Sequence, residues 1–298
     1  MFHRLHIVAA IIALFFPCCL STAAVWYVDV DNASGNEDGR SWATAYRYLQ
    51  DCMNDPGITA EDEVWVAEGV YTDTLNPVLT MLSNIHLYGG FSGTETAREQ
   101  RDWNTYRSIV DGENTRRCVN GANDAILDGF AIKNGTSNTG GGMYNNGNSS
   151  IITNCIFEGN VASGTSYLTY PGGGAIYNIS CNSIISNCKF INNVTLDNSS
   201  SSIVGGAGVF NTGPSTSINN CIFSQNNSSG TGVGGGVYTL SSIEITNCSF
   251  FKNNSSRGGG IYISSVTTEV TNCLFVENNA SYGGGDRKST RLNSSHIT

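Results

Sequence analysis

GGGVY (Gly234–Tyr238) followed by ITNCSFFKN (Ile245–Asn253) is one copy of a unit that the chain repeats five times between Gly140 and Asn279. The others are GGGMY with ITNCIFEGN, GGGAIY with ISNCKFINN, GGAGVF with INNCIFSQN, and GGGIY with VTNCLFVEN; a sixth glycine run begins at Gly283. The unit's cysteine falls at Cys155, Cys188, Cys221, Cys248 and Cys273, at intervals of 33, 33, 27 and 25 residues. Spacing is kept inside each unit and varies between units. A solenoid behaves this way, because each turn stacks its core residues on the last while loops on one side lengthen freely.

Inside the unit, Cys188 and Phe190 share parity and Lys189 lies between them. Burying an unpaired lysine is costly, so Cys and Phe face inward. The aliphatic residue three before each Cys (Ile152, Ile185, Ile218, Ile245, Val270) suits the core but has the opposite parity. The phase break places a corner at the Asn before each Cys, a residue type that tolerates left-handed backbone angles. A second corner is expected at Asn160, Asn193, Asn226, Asn253 and Asn278, and a third strand carries Met143, Ile176, Val209, Val237 and Ile261. The expectation is an all-β, single-stranded parallel β-helix with three short strands per coil, stacked at about 4.8 Å.

Ahead of the repeats, Val25 to Asn134 reads as an N-terminal cap and irregular first coils, and 135–285 as the regular β-helix. Ser41 is expected to cap a short helix with Trp42, Ala45, Tyr46, Leu49 and Cys52 on one face, lying over the open end of the first coil. Residues 1–24 read as a secretory signal peptide, with His3, Arg4 and His6 before an apolar run from Ile7 to Phe16 and small residues at Ser21, Ala23 and Ala24. That run is short for a bilayer span, and no other stretch could cross a membrane as a helix. The expected location is therefore secreted or cell-surface. Residues 286–298 (DRKSTRLNSSHIT) break both composition and period; they resemble translated sequencing-adapter read-through, so the chain is read as a fragment lacking its own C-terminal region.

The formal charge of −9 leaves no basic face for nucleic acid. Eight cysteines follow the signal, with no CxxC pair for zinc or redox chemistry. The repeat cysteines are expected as buried free thiols; a bridge between Cys52 and Cys118 is left open by the spacing. No cofactor is implied, with one opening for calcium: Asp29, Asp31 and Asp38, beside Asn32 and Glu37, are hard-oxygen donors without EF-hand spacing, read equally as a solvated turn. Arg98, Glu99, Arg101 and Asp102 read as a salt-linked loop.

The GGG-aliphatic-aromatic and NCxFxxN units resemble those of bacterial secreted right-handed parallel β-helix repeat proteins, similar to the GGAI and FxxN repeats of chlamydial polymorphic outer membrane proteins. The segments YVDVDNASGNEDGRSWATAYRYLQD, EVWVAEGVYT, YGGFSGTETAREQRDW and LDGFAIKNG resemble the N-terminal part of such proteins. The resemblance spans residues 26–285. It implies right-handed coiling and an exported protein with an adhesive or structural role, truncated before its anchoring region.

Parallel β-helices also include polysaccharide lyases and glycosidases, so a carbohydrate-active enzyme is the alternative. Among the repeats, Glu244 and Glu269 alone share sign and register on adjacent turns, and two like charges without cations make a poor lyase site. A glycan-binding module is the third reading. If the aliphatic partner points inward, Tyr144, Tyr177, Phe210, Tyr238 and Tyr262 form an outer strip about 20 Å long, suited to sugar rings of extracellular glycans or to surface proteins. The competing role for the same rings is to stack on one another and stiffen that face.

Overall fold

In the computed structural model, residues 23–164, 171–196, 204–265 and 268–282 are described, with the backbone of 286–288. The expected signal segment, much of the loops after Asn160 and Asn193, and most of the tail lie outside the described residues. The chain is a right-handed parallel β-helix built of four parallel sheets of nine, eight, six and eight strands, the six-stranded one beginning at Thr136–Ser137. One repeat visits them in turn, as in Ile151–Thr153, Ile156–Glu158, Val161–Ala162 and Ile176–Ile179. We name these sheets I to IV. Sheet III is an addition to the three strands per coil expected from the repeat. At about 4.8 Å per step, the nine strands of sheet I make a rod about 40 Å long.

Each core position sits on its own counterpart. In sheet I, Trp26, Val64, Leu87, Leu127, Ile152, Ile185, Ile218, Ile245 and Val270 are successive register partners. In sheet II the repeat phenylalanines pair from Phe157 to Phe275. Their rings stack with centroids 4.6–5.3 Å apart and planes within 9°, each stack worth about 0.5–1.5 kcal/mol beyond burial. Met143, Ile176, Val209, Val237 and Ile261 complete the inward ladders from sheet IV.

The first corner is where the sequence puts it: Asn154, Asn187, Asn220, Asn247 and Asn272 have φ of 50–54°. The second is displaced by one residue. Its left-handed positions are Gly159, Asn192, Gln225, Lys252 and Glu277, and the asparagine that follows turns inward. Asn160, Asn193, Asn226 and Asn253 are wholly buried. Each donates from its backbone N–H and its Nδ2 to Oδ1 of the next asparagine, at 2.8–3.1 Å, and from Nδ2 to a backbone carbonyl of the preceding coil, at 2.9–3.0 Å. Asn278 continues the series with Nδ2 on the Phe250 carbonyl. A corner that buries a peptide N–H must give it a partner, and the stacked amides supply one per coil.

The expected capping helix is split. Trp42–Thr44 is a 3-10 turn, and the α-helix is confined to Leu49–Met53 with Tyr48 as its N-cap. The physical reason is competition from the first strand: Tyr46 donates its N–H to the Tyr27 carbonyl and accepts from Asp29 N–H, which holds Tyr46 extended. Leu49, Cys52 and Met53 still join the core, whereas Trp42 turns to the outer face against Tyr27 and Phe91. Asp62, 2% exposed, locks the start of the first strand by accepting from Ala24 N–H, Trp26 Nε1 and Thr59 N–H at 2.7–3.0 Å. Among the described residues no helix is long and apolar enough to cross a membrane.

Two outcomes follow. Replacing Asn226 by Ala removes the acceptor of the Asn193 N–H and Nδ2; urea unfolding is expected to show a loss of about 2–5 kcal/mol, since each orphaned buried donor costs about 1–3 kcal/mol. Burial opposes charge on Asp62, but its hydrogen bonds outweigh burial and hold the carboxyl below its ordinary value. Its contribution is therefore present above the unfolded carboxyl pKa of about 3.9 and lost as pH falls through the folded value. Amide exchange at 24–28 should accelerate in acid before that of the repeats, and Asp62→Asn should abolish the difference.

Candidate functional site

The aromatic ladder assembles in register but is not an open strip. Tyr144, Tyr177, Phe210, Tyr238 and Tyr262 are successive partners in sheet IV, pointing away from the main core as parity requires. They form a second, smaller core with Val233, Ile179 and Leu240. Tyr177, Phe210 and Tyr238 are 3%, 0% and 2% exposed; only the end members Tyr144 and Tyr262 are half-buried. Tyr144, Tyr177 and Phe210 stack with planes within 12°, and Phe210, Tyr238 and Tyr262 meet edge to face. The glycine runs lie against these rings: a Cβ on Gly140 would stand 3.0 Å from Tyr177 Cβ, and one on Gly172 3.1 Å from the Phe210 ring. Self-stacking beside the glycines is thus the arrangement adopted, and the three middle rings offer no face to a sugar.

The acidic turn is spent on its own backbone. Asp29 Oδ1 accepts from Asp31 N–H at 2.9 Å, and Asp38 Oδ1 from Arg40 N–H at 3.0 Å. The Thr44 hydroxyl, then the Arg40 N–H, hold the Asp38 carboxyl below its usual range. Asn32 is turned in to bond the Ala45 carbonyl. Among the described residues no three His, Cys, Asp or Glu side chains are grouped to hold a metal ion. Glu244 and Glu269 are register partners on the outer face of sheet I, exposed, beside a shallow depression with Ser217 and Ser242.

The concentration of polar and aromatic groups lies instead on the N-terminal part of sheet I, where two motifs distant in sequence meet. Strand His86–Phe91 carries YGGF, strand Ile126–Asp128 leads into Gly129, and the excursion between them crosses back over the sheet at Arg101–Trp103. Glycines make that crossing possible. Gly90, at φ 97°, would place a Cβ 2.7 Å from the Trp103 backbone, and a Cβ on Gly129 would stand 3.0 Å from Arg101 Nη1. Glu95 ties the start of the excursion by accepting from the N–H groups of Ser92, Gly93 and Thr94.

Arg101 is pinned there. Nη2 meets Asp128 Oδ2 at 2.6 Å, and Nη1 donates to the carbonyls of Gly89 and Asp128. Its guanidinium lies 5.0 Å from the Tyr88 ring centroid and 4.8 Å from that of Trp103. Arg98 covers Tyr88 at 4.6 Å and pairs with Glu63 at 2.5 Å. Asp128 Oδ1 accepts from Asn154 Nδ2 at 2.8 Å. Tyr88, Arg98, Glu99, Arg101, Trp103 and Asp128 line a depression of about 500 Å³. The salt-linked loop read from Arg98 to Asp102 is present, and its partners Glu63 and Asp128 lie 35 and 27 residues away in sequence, which no local pattern announces.

All eight described cysteines are free and buried, Cys52 and Cys118 included. Each ladder thiol donates to the carbonyl two residues earlier, at 3.1–3.3 Å. Burial raises the Cys52, Cys118 and Cys188 thiols, and pushes Cys181 up to about 11. Enclosed thiols are out of reach of a reagent in solution. With a chromogenic disulfide reagent at pH 8, these eight are expected to stay unmodified in the native chain and to react together in guanidinium; rapid native labelling of the ladder would contradict the arrangement. Compared with known proteins, the chain matches no family model, no curated protein and no solved structure.

Proposed function

We propose that the chain is an exported surface or extracellular β-helix protein with an adhesive or structural role, akin to the secreted repeat proteins its motifs resemble. The observation that carries this reading is that the side chains defining the repeat are used on their own counterparts one coil away. Phe stacks on Phe and Asn bonds Asn, while the repeat aromatics close a core of their own. Such a sequence specifies a stiff rod of adjustable length rather than a pocket. The secretory character of residues 1–24 supports a place outside the cytoplasm. Its contacts there are with extracellular glycans or surface proteins.

Production of the full chain in a Gram-negative host tests export. Processing near Ala24, with the product outside the cytoplasm, is expected; unprocessed cytoplasmic chain would count against it. Beads coated with the product should adhere to cell surfaces or resist bending as rods in electron micrographs. Incubation with a panel of uronic-acid polymers and calcium should yield no rise in unsaturated-product absorbance. Turnover there would replace this reading with a polysaccharide lyase.

A further inference from the structure

We propose that the depression lined by Tyr88, Arg98, Glu99, Arg101, Trp103 and Asp128 binds an uncharged saccharide. This deepens the adhesive reading above and rests on it for placing the ligand outside the cell. Three observations carry it. The first is an aromatic ring at the depression: Trp103 is half-buried and lines it, while the buried Tyr88 ring lies under the guanidiniums of Arg98 and Arg101. Sugar rings pack their C–H faces on such rings.

The second is preorganisation. Arg101 and Asp128 are 9% and 11% exposed and hold each other, with Asn154 fixing the second carboxylate oxygen. Arg98 is held between Glu63 and the Tyr88 face. Planar donors and acceptors fixed beside an aromatic ring suit adjacent hydroxyls, which donate to a carboxylate and accept from a guanidinium.

The third is charge, and it selects among sugars. Both guanidiniums already face carboxylates, Arg98 at Glu63 and Arg101 at Asp128, and Glu99 adds a further negative group at the rim, 77% exposed. A uronate or phosphate would meet no unneutralised cation and would be repelled by Glu99. A neutral pyranose loses nothing to that balance, and a 500 Å³ depression is large enough for it. Fastening the excursion to the sheet requires the Arg101–Asp128 pair; it does not require Glu99 and Trp103 to line the same hollow.

The test uses the full chain with neutral gluco-, galacto- and manno-oligosaccharides, and oligogalacturonate as the charged comparison, by calorimetric titration. Binding of at least one neutral oligosaccharide in preference to oligogalacturonate is expected. Trp103→Ala should weaken it about tenfold or more and Glu99→Ala several-fold, while Tyr262→Ala on the far sheet leaves it unchanged. Glu99 is exposed, so its variant keeps the parent's melting temperature and remains informative if Trp103→Ala unfolds. Absence of neutral-sugar binding at millimolar concentration, equal or tighter binding of oligogalacturonate, or affinity untouched by Glu99→Ala and Trp103→Ala would each overturn the proposal. Bead adhesion persisting in a chain that binds no sugar would remove the saccharide site and leave the adhesive reading standing. Loss of adhesion with sugar binding intact would do the reverse.

Discussion

Parallel, in-register stacking at a fixed strand spacing is the constraint on which this molecule depends. A residue in one coil has the same position of the next coil as its neighbour, about 4.8 Å away, so the side chains that succeed are those that attract their own kind. Phenylalanine does so by offset stacking, isoleucine by packing, and asparagine because an amide is both donor and acceptor. Charges do not, and the repeats hold few. Where one occurs among the described residues it is met by its opposite on the next turn, as with Lys133 and Glu158 at 2.7 Å or Lys252 and Glu277 at 3.4 Å, or it points to water, as Glu244 and Glu269 do.

The two inward asparagine ladders show what completeness requires. From Asn160 to Asn278 the amides bond each other and also serve the corner's backbone, so donors and acceptors balance at every step. In sheet IV the series Asn145, Asn178 and Asn211 gives way to Thr239 and then Ile263. Asn145 donates to Asn178 at 2.8 Å, but Asn178 Nδ2 and Ser183 Oγ find no protein partner. Ser150 and Thr216, equivalent to Ser183 in their own coils, do bond the neighbouring asparagine. A ladder of amides stabilises a coil where each amide bonds the next and costs desolvation where a buried donor is left unmatched.

Much of the fold was legible because it follows from parity and from the backbone preferences of single residues. Cys188 and Phe190 had to face inward around Lys189, and Asn187 could supply a left-handed corner. Sheet III was not legible: Val161–Ala162, Val194–Thr195 and Asn227–Ser228 keep no residue type through all three coils, and a two-residue strand has no periodicity. The helix after Ser41 had the right spacing, yet Tyr46 is drawn into a bridge with the first strand, a tertiary preference that a one-dimensional pattern does not contain. The aromatic ladder was assigned the correct direction and the wrong exposure, since parity says which way a side chain leaves the sheet and not what else will cover it.

The same logic explains why the chemically varied part of the chain is its irregular beginning. In the regular coils a distinctive side chain is flanked above and below by residues chosen for self-stacking, so a convergent set of unlike groups is hard to assemble. Between His86 and Asp128 the coil departs from that rule, because the excursion from Ser92 to Arg107 leaves the core and returns across the outer face of sheet I. There an arginine from a loop meets an aspartate from a strand and two aromatic rings from different segments. Gly90 and Gly129 are the cost of that meeting, since each keeps the sheet bare enough for a second layer of chain to lie on it. Regularity builds the rod, and specificity in such a protein resides where regularity is interrupted.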